Sequence, residues 1–272
     1  MLVGEVVHQK ILHWIRSYQH HRPFQLAEIF EQTWQAFLRR YEFSQRECYF
    51  YHPASDPRFT ILFEHVYKQP VSTNTLGDIY QMIKRAFRNL SVWKGFQRLH
   101  ILSPNRVMYQ DELLQVELDG LPLWIKVDYG YRELNTQPIL IDWKLSRQPE
   151  KKDPLQLAVY GAFTYQHRKD GTPIRLINFY LLTGQAVEFY LDDALFQNTV
   201  AFIHHSYQQM QNFHQKVADG LRFTNILPAY QRANCRFCNF QKICFPGGIS
   251  LEDIEPMPAI LPKSILINKE GR

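Results

Sequence analysis

Residues 121–144 of the chain read LPLWIKVDYGYRELNTQPILIDWK, a stretch in which apolar runs alternate with turn formers. Apolar side chains at every second position from Leu121 to Val127 predict a strand with one buried face. A further strand is predicted to begin at residues 139–141. The dipeptide Asp119-Gly120 is typical of a hairpin turn, so the segment that begins at Leu113 is expected to form the first strand of a three-stranded meander.

Two carboxylates and a lysine stand at the ends of these strands. Asp128 follows the alternating run directly, and Asp142 and Lys144 belong to the next strand. Because alternate residues of a strand share a face, Asp142 and Lys144 point the same way, and Trp143 points into the opposite, buried layer. Asp128 is expected beside Asp142 across the hairpin. Neighbouring carboxylates repel each other unless a cation neutralises them, so the pair predicts a Mg²⁺ or Mn²⁺ site where Lys144 holds or deprotonates an attacking water.

A helix is predicted to follow the second carboxylate, because Asp153-Pro154 combines a typical N-cap with proline at the first helical position. Gln156 and Tyr160 are four residues apart and therefore share a face of this helix. Both side chains can bind a phosphate oxygen or support the lysine. Taken alone, Asp142 and Lys144 would be an exposed ion pair on a strand. The full order of strand, strand and helix favours a phosphodiesterase site instead.

The remainder of the chain predicts helices before these strands and more strands after them. Apolar residues recur at helical spacing in residues 26–41 and 79–90. Two further strands are predicted over residues 176–182 and 186–191, followed by a long helix over about 192–218. This order favours an α/β domain with a mixed central β-sheet flanked by helices.

Composition and charge permit a globular protein that binds a polyanion. The chain has 272 residues, and its net charge is +5. This length allows a substantial core, and the positive charge permits a nucleic-acid partner without requiring one. No apolar segment reaches the roughly 18 residues that a membrane span needs. No phosphate-binding loop of the ATPase type is found. We therefore expect a cytoplasmic protein without a membrane partner, and any ATP-driven motor would lie on another chain.

Four cysteines are candidates for one metal centre. Cys235, Cys238 and Cys244 form a compact triplet, and Cys48 lies far upstream. Separated thiolates in a cytosolic protein more often bind metal than form disulfides, and Cys-x2-Cys is a typical clamp for a soft ion or a cluster. A structural Zn²⁺ site would also take four sulfur ligands. Cys48, considered alone, is equally compatible with a buried apolar thiol.

Four basic residues are candidates for DNA contacts. Arg85 and Arg88 lie in a predicted helix, and Arg236 and Lys242 lie beside the cysteine triplet. Such side chains can follow a phosphate backbone. A solvated helix face explains Arg85 and Arg88 equally well.

The carboxylate, lysine and helix motifs together resemble the core of the PD-(D/E)xK nuclease superfamily. The similarity is to the RecB-like branch, which includes the CRISPR adaptation exonucleases and the nuclease domain of AddB, and it covers roughly residues 40–245. It implies a restriction-endonuclease-like core and a metal-dependent DNA nuclease, with single-strand exonuclease activity. The motifs that carry it are Asp128, Asp142-x-Lys144 and Gln156-x-x-x-Tyr160.

The resemblance also implies roles and partners. Asp128 and Asp142 would bind the metal together with the backbone carbonyl of Trp143, and Lys144 would be the catalytic lysine. A helicase or CRISPR adaptation proteins would be partners. In the alternative interpretation, the chain is a weakly active or non-catalytic DNA-binding module of such a complex.

The cysteines extend the resemblance. One distant cysteine followed by a C-terminal triplet is similar to the 4Fe-4S pattern of the same branch, which favours a structural cluster over zinc. The cluster would clasp the N-terminal helices to the C-terminal segment. The predicted regions are a mostly helical part with Cys48 over residues 1–110, a nuclease core over 111–220, an iron-sulfur segment over 221–248 and a tail over 249–272.

One element of the family pattern is expected to be missing. Active members usually carry Gly-x-x-x-His on an upstream helix, where the histidine is a metal ligand. The nearest match is the segment from Gly77 to Gln81, and none of the eleven histidines occupies an obvious replacement position. The Gln81 carbonyl oxygen would be a weaker, neutral ligand, so metal binding or catalysis is expected to suffer.

Overall fold

A computed structural model of the chain describes residues 2–66, 68, 71–133, 137–147, 153–168 and 171–220. The chain divides into two compact units, Met1–Thr199 and Val200–Arg272. The first unit contains the sheet and the candidate site. In the second unit the described residues are 200–220, which are helical as far as Ala218.

Helices dominate the first hundred residues, as the apolar spacing predicts. The helix that carries Arg85 begins at a side-chain cap, because the Thr75 backbone N–H donates to Ser72 Oγ over 3.1 Å. None of the helices in the described parts of the chain is long and apolar enough to cross a membrane. The α-helices are α1 Leu2–Gln19, α2 Leu26–Gln45, α3 Phe63–Val66, α4 Thr73–Val92, α5 Lys94–His100, α6 Asp153–Gln166 and α7 Asp193–Ala218, and short 3₁₀ turns occupy Cys48–Phe50 and Pro104–Arg106.

The strands form a five-stranded sheet and a separate two-stranded hairpin. The sheet has the order β1-β4-β5-β6-β7, in which β5 and β6 are parallel and the other neighbours are antiparallel. This mixed sheet with helices around it confirms the predicted α/β class. The strands are β1 Val107–Tyr109, β2 Glu112–Leu118, β3 Leu121–Val127, β4 Tyr129–Arg132, β5 Pro138–Lys144, β6 Ile174–Tyr180 and β7 Gln185–Leu191.

The predicted three-stranded meander is wrong in its pairing. Among the described strands, β2 and β3 pair only with each other, and the antiparallel neighbour of β5 is the additional strand β4. Strand β4 has only four residues, and Gly130 interrupts its pattern of buried tyrosines. A side chain at Gly130 would collide with its neighbours, because an added Cβ would lie 2.5 Å from Cδ2 of Tyr109. The glycine is needed for packing. Because it interrupts the alternation of apolar residues, the sequence pattern does not predict this strand.

Helices cover both faces of the sheet. On one face α1, α2, α4 and α5 share a continuous core with the sheet residues Ile139, Ile141 and Trp143. On the other face α6 approaches closely at Gly161, where an added Cβ would lie 3.1 Å from side-chain atoms of Leu176 and Leu191. Strand β5 is therefore buried on both faces, which explains its nearly continuous apolar sequence.

Candidate active site

The pairing of β4 with β5 brings the two carboxylates together. Tyr129 is the register partner of Ile141, so one further step along the antiparallel pair places Asp128 opposite Asp142. The backbone N–H of Trp143 donates to Asp128 Oδ2 over 2.8 Å. Asp128 thus lies beside Asp142 as predicted, although the strand after Asp128 makes the pair and not the strand before it.

Lys144 connects this carboxylate pair to helix α6. Its Nζ lies 2.7 Å from Asp142 Oδ2 and donates to Gln156 Oε1 over 2.7 Å. Gln156 Nε2 in turn donates to the hydroxyl oxygen of Tyr160 over 2.8 Å. The structure therefore brings the five motif residues predicted from sequence into one connected cluster, in which Gln156 and Tyr160 support the lysine.

Asp142 is the most perturbed group in this cluster. Burial, reinforced by the nearby charge of Asp128, raises the pKa of Asp142 to about 7, although Lys144 acts in the opposite direction. The Asp142 side chain is only 4% exposed. Apart from the ion pair with Lys144, its Oδ2 accepts no hydrogen bond from the described residues. A buried carboxylate of this kind attracts a further cation.

Helix α1 contributes a histidine that sequence reasoning missed. His8 Nδ1 lies 3.5 Å from Asp128 Oδ1. Burial lowers the pKa of His8, but the charges of Asp128, Asp142 and Asp111 and the hydrogen bond to Asp128 outweigh it and leave the pKa raised. The segment from Gly4 to His8 has the Gly-x-x-x-His spacing. This spacing is visible in the sequence, but it lies far upstream of residue 40, where the family resemblance begins.

Gln81 does not lie in this cluster. It lines a cavity of about 740 Å³ together with Lys84, Arg85 and Arg88 on α4, and the described residues that line the cavity do not include Asp128, Asp142 or Lys144. The role of Gln81 as a stand-in for the missing histidine therefore stays a prediction. His8 is the candidate for that position.

The cavity on α4 is a basic groove at the same end of the sheet as Lys144. Asn89 Nδ2 donates to the Leu181 carbonyl over 2.8 Å, and the Leu181 backbone N–H donates to the Lys144 carbonyl over 2.9 Å. The groove is completed by Leu182 and Thr183, which follow Leu181 in the chain. Its position predicts that a polyanion bound there would pass close to the end of β5.

Three exposed cations line this groove, namely Lys84, Arg85 and Arg88. None of them forms an ion pair with an acidic side chain in the part of the chain that the structure describes. Arg85 and Arg88 are two of the four residues predicted from sequence to contact DNA, and Lys84 lies beside them in the groove.

The cysteines can be described only in part. Cys48 is half-buried, forms no disulfide and opens the 3₁₀ turn after α2. The other predicted cluster ligands, Cys235, Cys238 and Cys244, lie outside the described residues, as do Arg236 and Lys242. Within the described ranges, no group of three or more His, Cys, Asp or Glu side chains is positioned to hold a metal ion.

No curated protein matches the chain. A family model described as the PD-(D/E)XK nuclease superfamily matches residues 2–245. The match includes His8 as well as the carboxylates, the lysine and helix α6, and it covers most of the 272 residues. The chain therefore belongs to the PD-(D/E)XK nuclease superfamily.

Proposed function

We propose that the protein is a metal-dependent nuclease that hydrolyses phosphodiester bonds in DNA, and that Asp128, Asp142 and Lys144 form its catalytic centre. One observation carries the proposal. A carboxylate that is almost fully buried lies opposite a second carboxylate and is paired with a lysine that α6 holds in place. Structural ion pairs are rarely built from two neighbouring buried acids, whereas hydrolytic sites commonly are.

The residues at this place suit a divalent metal ion. Asp142 Oδ2 is buried and, beyond its contact with Lys144, lacks a hydrogen bond from the described residues. Oxygen ligands are those that Mg²⁺ and Mn²⁺ prefer. Asp128, Asp142 and the Trp143 backbone carbonyl would hold the ion. His8 would add an imidazole ligand after a shift of its side chain, because the described His, Cys, Asp and Glu side chains form no ready group of three for a metal ion. Imidazole suits Mn²⁺ better than Mg²⁺.

The chain's own residues can position the reactants and accept a proton from the attacking water. When bound, the metal would polarise the phosphate and lower the pKa of a coordinated water. Lys144 is held between Asp142 and Gln156, so its Nζ is fixed at the carboxylates. There it can orient the attacking water, accept its proton or offset the negative charge that builds on the phosphate. Tyr160 restrains Gln156 through its hydroxyl and so limits the movement of the lysine.

The basic groove is proposed to carry phosphates of the substrate on either side of the cleaved bond. Lys84, Arg85 and Arg88 present three cations along one side of α4, at the sheet end where Lys144 lies. Such a surface binds polyanions without reading sequence. Exonuclease activity on single strands is proposed from the resemblance to the RecB-like branch.

A structural 4Fe-4S cluster bound by Cys48, Cys235, Cys238 and Cys244 forms part of the same proposal. The support is the spacing of the four cysteines and a Cys48 thiol that is neither disulfide-bonded nor fully buried. Purification without oxygen, followed by iron and zinc analysis, tests it. Brown protein with about four irons per chain is expected for such a cluster. Colourless protein with one zinc per chain would establish the zinc alternative.

His8 changes the balance between catalytic and non-catalytic interpretations. A DNA-binding module serving a helicase or a CRISPR adaptation complex was favoured by the apparent absence of the upstream histidine. His8 now occupies a place beside Asp128. This contact supports the catalytic interpretation, and partners of those two kinds remain compatible with an active nuclease.

Degradation of end-labelled single-stranded and duplex DNA in Mn²⁺ and in Mg²⁺ tests the activity. Wild type is compared with Asp142→Ala and Lys144→Ala. The matched control is Lys126→Ala, because Lys126 also leaves a strand and pairs with an aspartate, Asp111, at 2.8 Å, but lies outside the cluster. We expect loss of cleavage in the first two variants and retention in the control. Equal cleavage by all the proteins would refute the catalytic assignment.

A further inference from the structure

Strand β6 buries an amide that has no hydrogen-bond partner among the described residues. Asn178 is 0% exposed, and within the described residues neither its Oδ1 nor its Nδ2 forms a hydrogen bond. An unsatisfied amide in a protein interior is costly, and an apolar residue would be more favourable there for stability alone. Its neighbours on the strand, Ile177 and Phe179, are apolar and buried, so Asn178 breaks an otherwise apolar run.

The position of Asn178 relates it directly to the candidate metal site. It is the register partner of Asp142 on the parallel neighbour β5. Register partners on adjacent strands place their side chains on the same face, about 5 Å apart. That face is the one covered by α6, since Ile177 and Phe179 belong to the core on the opposite face. Asn178 thus stands beside Asp142, beneath the helix that carries Gln156 and Tyr160.

Two buried polar groups, the Asp142 carboxylate and the Asn178 amide, therefore lie side by side. Asp142 Oδ2 has its ion pair with Lys144 but accepts no hydrogen bond from the described residues, and Asn178 has an unused donor and an unused acceptor. An amide N–H is a natural donor to a carboxylate. The pairing of these two groups becomes most useful when Lys144 turns from Asp142 towards a water or phosphate, because the carboxylate then loses its cation.

We infer that Asn178 is a positioning residue for the metal site: its amide donates to the Asp142 carboxylate, directly or through one water, and fixes the orientation in which Asp142 binds a divalent cation. This inference rests on the proposed function. Partners that orient a metal-ligating carboxylate typically change metal affinity or activity by about 10- to 100-fold when they are removed. The free-energy cost of burying the Asn178 amide is then explained by its role in orienting Asp142.

The experiment measures Mn²⁺ binding and thermal stability of the full chain without DNA. Asn178→Leu keeps the branching at Cγ and removes both polar atoms, and Asn178→Ala removes them without adding volume. Thr33→Val is the matched control, because Thr33 is also 0% exposed but its hydroxyl donates to the Ile29 carbonyl over 2.6 Å on α2. Mn²⁺ is titrated by electron paramagnetic resonance or calorimetry, and Tm is measured in EDTA.

We expect both Asn178 variants to bind Mn²⁺ at least about tenfold more weakly than wild type. Their Tm in EDTA should be no lower than the Tm expected after the loss of any buried polar side chain, because the amide has no hydrogen bond to lose among the described residues. The Thr33→Val control should leave Mn²⁺ affinity unchanged. A merely structural asparagine would give the opposite pattern, with wild-type Mn²⁺ affinity in both variants whatever their Tm, and that result would overturn the inference.

A further variant separates this inference from the proposed function. Asp142→Asn should abolish Mn²⁺ binding if the nuclease centre is correctly assigned. Wild-type protein that binds Mn²⁺ and loses it in Asp142→Asn, but not in either Asn178 variant, would overturn the role of Asn178 alone. Wild-type protein that binds no Mn²⁺ would overturn the metal centre and the role of Asn178 together.

Discussion

His8 Nδ1 lies 3.5 Å from Asp128 Oδ1, so the first helix of the chain contacts a carboxylate at the start of β4. The same contact brings an imidazole to the place where the two acids meet. Helix α1 is fixed there by its core residues, among them Val7 and Ile11, which are fully buried on either side of His8 in sequence. The position of the histidine is thus determined by packing and not by a flexible terminus.

The His8→Ala substitution should weaken Mn²⁺ binding and lower cleavage in Mn²⁺ more than in Mg²⁺. Imidazole is a better ligand for Mn²⁺ than for Mg²⁺, so its removal costs the Mn²⁺ complex more. We expect a loss of at least about tenfold in Mn²⁺ affinity, measured by titration. His13→Ala is the control, since His13 is exposed on the same helix and packs against Phe24. Equal effects of the two substitutions on Mn²⁺ affinity would exclude His8 as a ligand.

Part of the site is determined by residues that are close together in the sequence. Strand β5 was recognisable because a strand buried on both faces is apolar at nearly every position, and the acid and lysine stand out against that background. The shared helix face of Gln156 and Tyr160 was likewise predictable from sequence, because residues four apart lie one helical turn from each other. Each of these features depends on residues within a few positions of one another.

The features that were missed depend on tertiary contacts. Strand β4 is short, and Gly130 fits no apolar pattern in the sequence but is required by the approach of Tyr109. The contact of His8 with Asp128 exists only because α1 packs on the sheet. The groove likewise combines α4 with Thr183, which lies far away in the sequence. Periodicity within a segment carries no information about which distant segment it will meet.

Gln156 should affect catalysis through Lys144 and not through the metal. Removing the amide in Gln156→Leu deprives Lys144 Nζ of an acceptor at 2.7 Å and so removes one restraint on the lysine side chain. General acid–base contributions are worth about 10²- to 10⁴-fold, and we expect the loss for Lys144→Ala to lie in that range and the loss for Gln156→Leu to be smaller. Mn²⁺ affinity should remain close to that of wild type in Gln156→Leu.

Tyr160→Phe provides the graded control for that lysine support. Its hydroxyl oxygen accepts from Gln156 Nε2 at 2.8 Å and is one contact further from Lys144. The rate of DNA cleavage at saturating Mn²⁺, measured for all three variants, should therefore fall in the order Tyr160→Phe, Gln156→Leu and Lys144→Ala. A Gln156→Leu variant that cleaves as fast as wild type would contradict the proposed support of the lysine.

The groove on α4 should increase the affinity for DNA and make that affinity depend more strongly on salt concentration. Replacing Lys84, Arg85 and Arg88 together by alanine removes three cations of the groove. The magnitude of the negative slope of log K against log salt for single-stranded DNA should therefore decrease by about 2. Binding is measured in EDTA, where no cleavage occurs. Hydrolysis of a small phosphodiester such as bis(4-nitrophenyl) phosphate should be unchanged, since it does not reach the groove.

A matched triple substitution tests whether the position of the groove cations matters. Arg22, Arg39 and Lys126 are exposed or half-exposed cations outside the groove, and their replacement by alanine changes the net charge by the same amount. The salt slope should decrease less in this variant than in the groove variant. Identical slopes for the two triple variants would show that net charge alone attracts the DNA and that the groove has no special part in binding.

The raised pKa of Asp142 should be visible as a pH dependence of stability in the metal-free protein. The ordinary pKa of an aspartate is 3.8, and in the folded protein burial raises that of Asp142 to about 7. Between these two pH values the folded state holds a proton that the unfolded state has released, so the free energy of unfolding decreases as the pH rises from about 4 to about 7. Relative to Asp142→Asn, which cannot titrate, wild type should lose on the order of 4 kcal/mol over this range, and the difference should stay constant above it.

Urea unfolding in EDTA at several pH values measures this difference in stability between wild type and Asp142→Asn. Mn²⁺ should reduce it, because the ion binds the ionised carboxylate and stabilises the folded state. A wild-type protein that gains stability relative to Asp142→Asn between pH 4 and pH 7 would contradict a buried carboxylate whose pKa is raised.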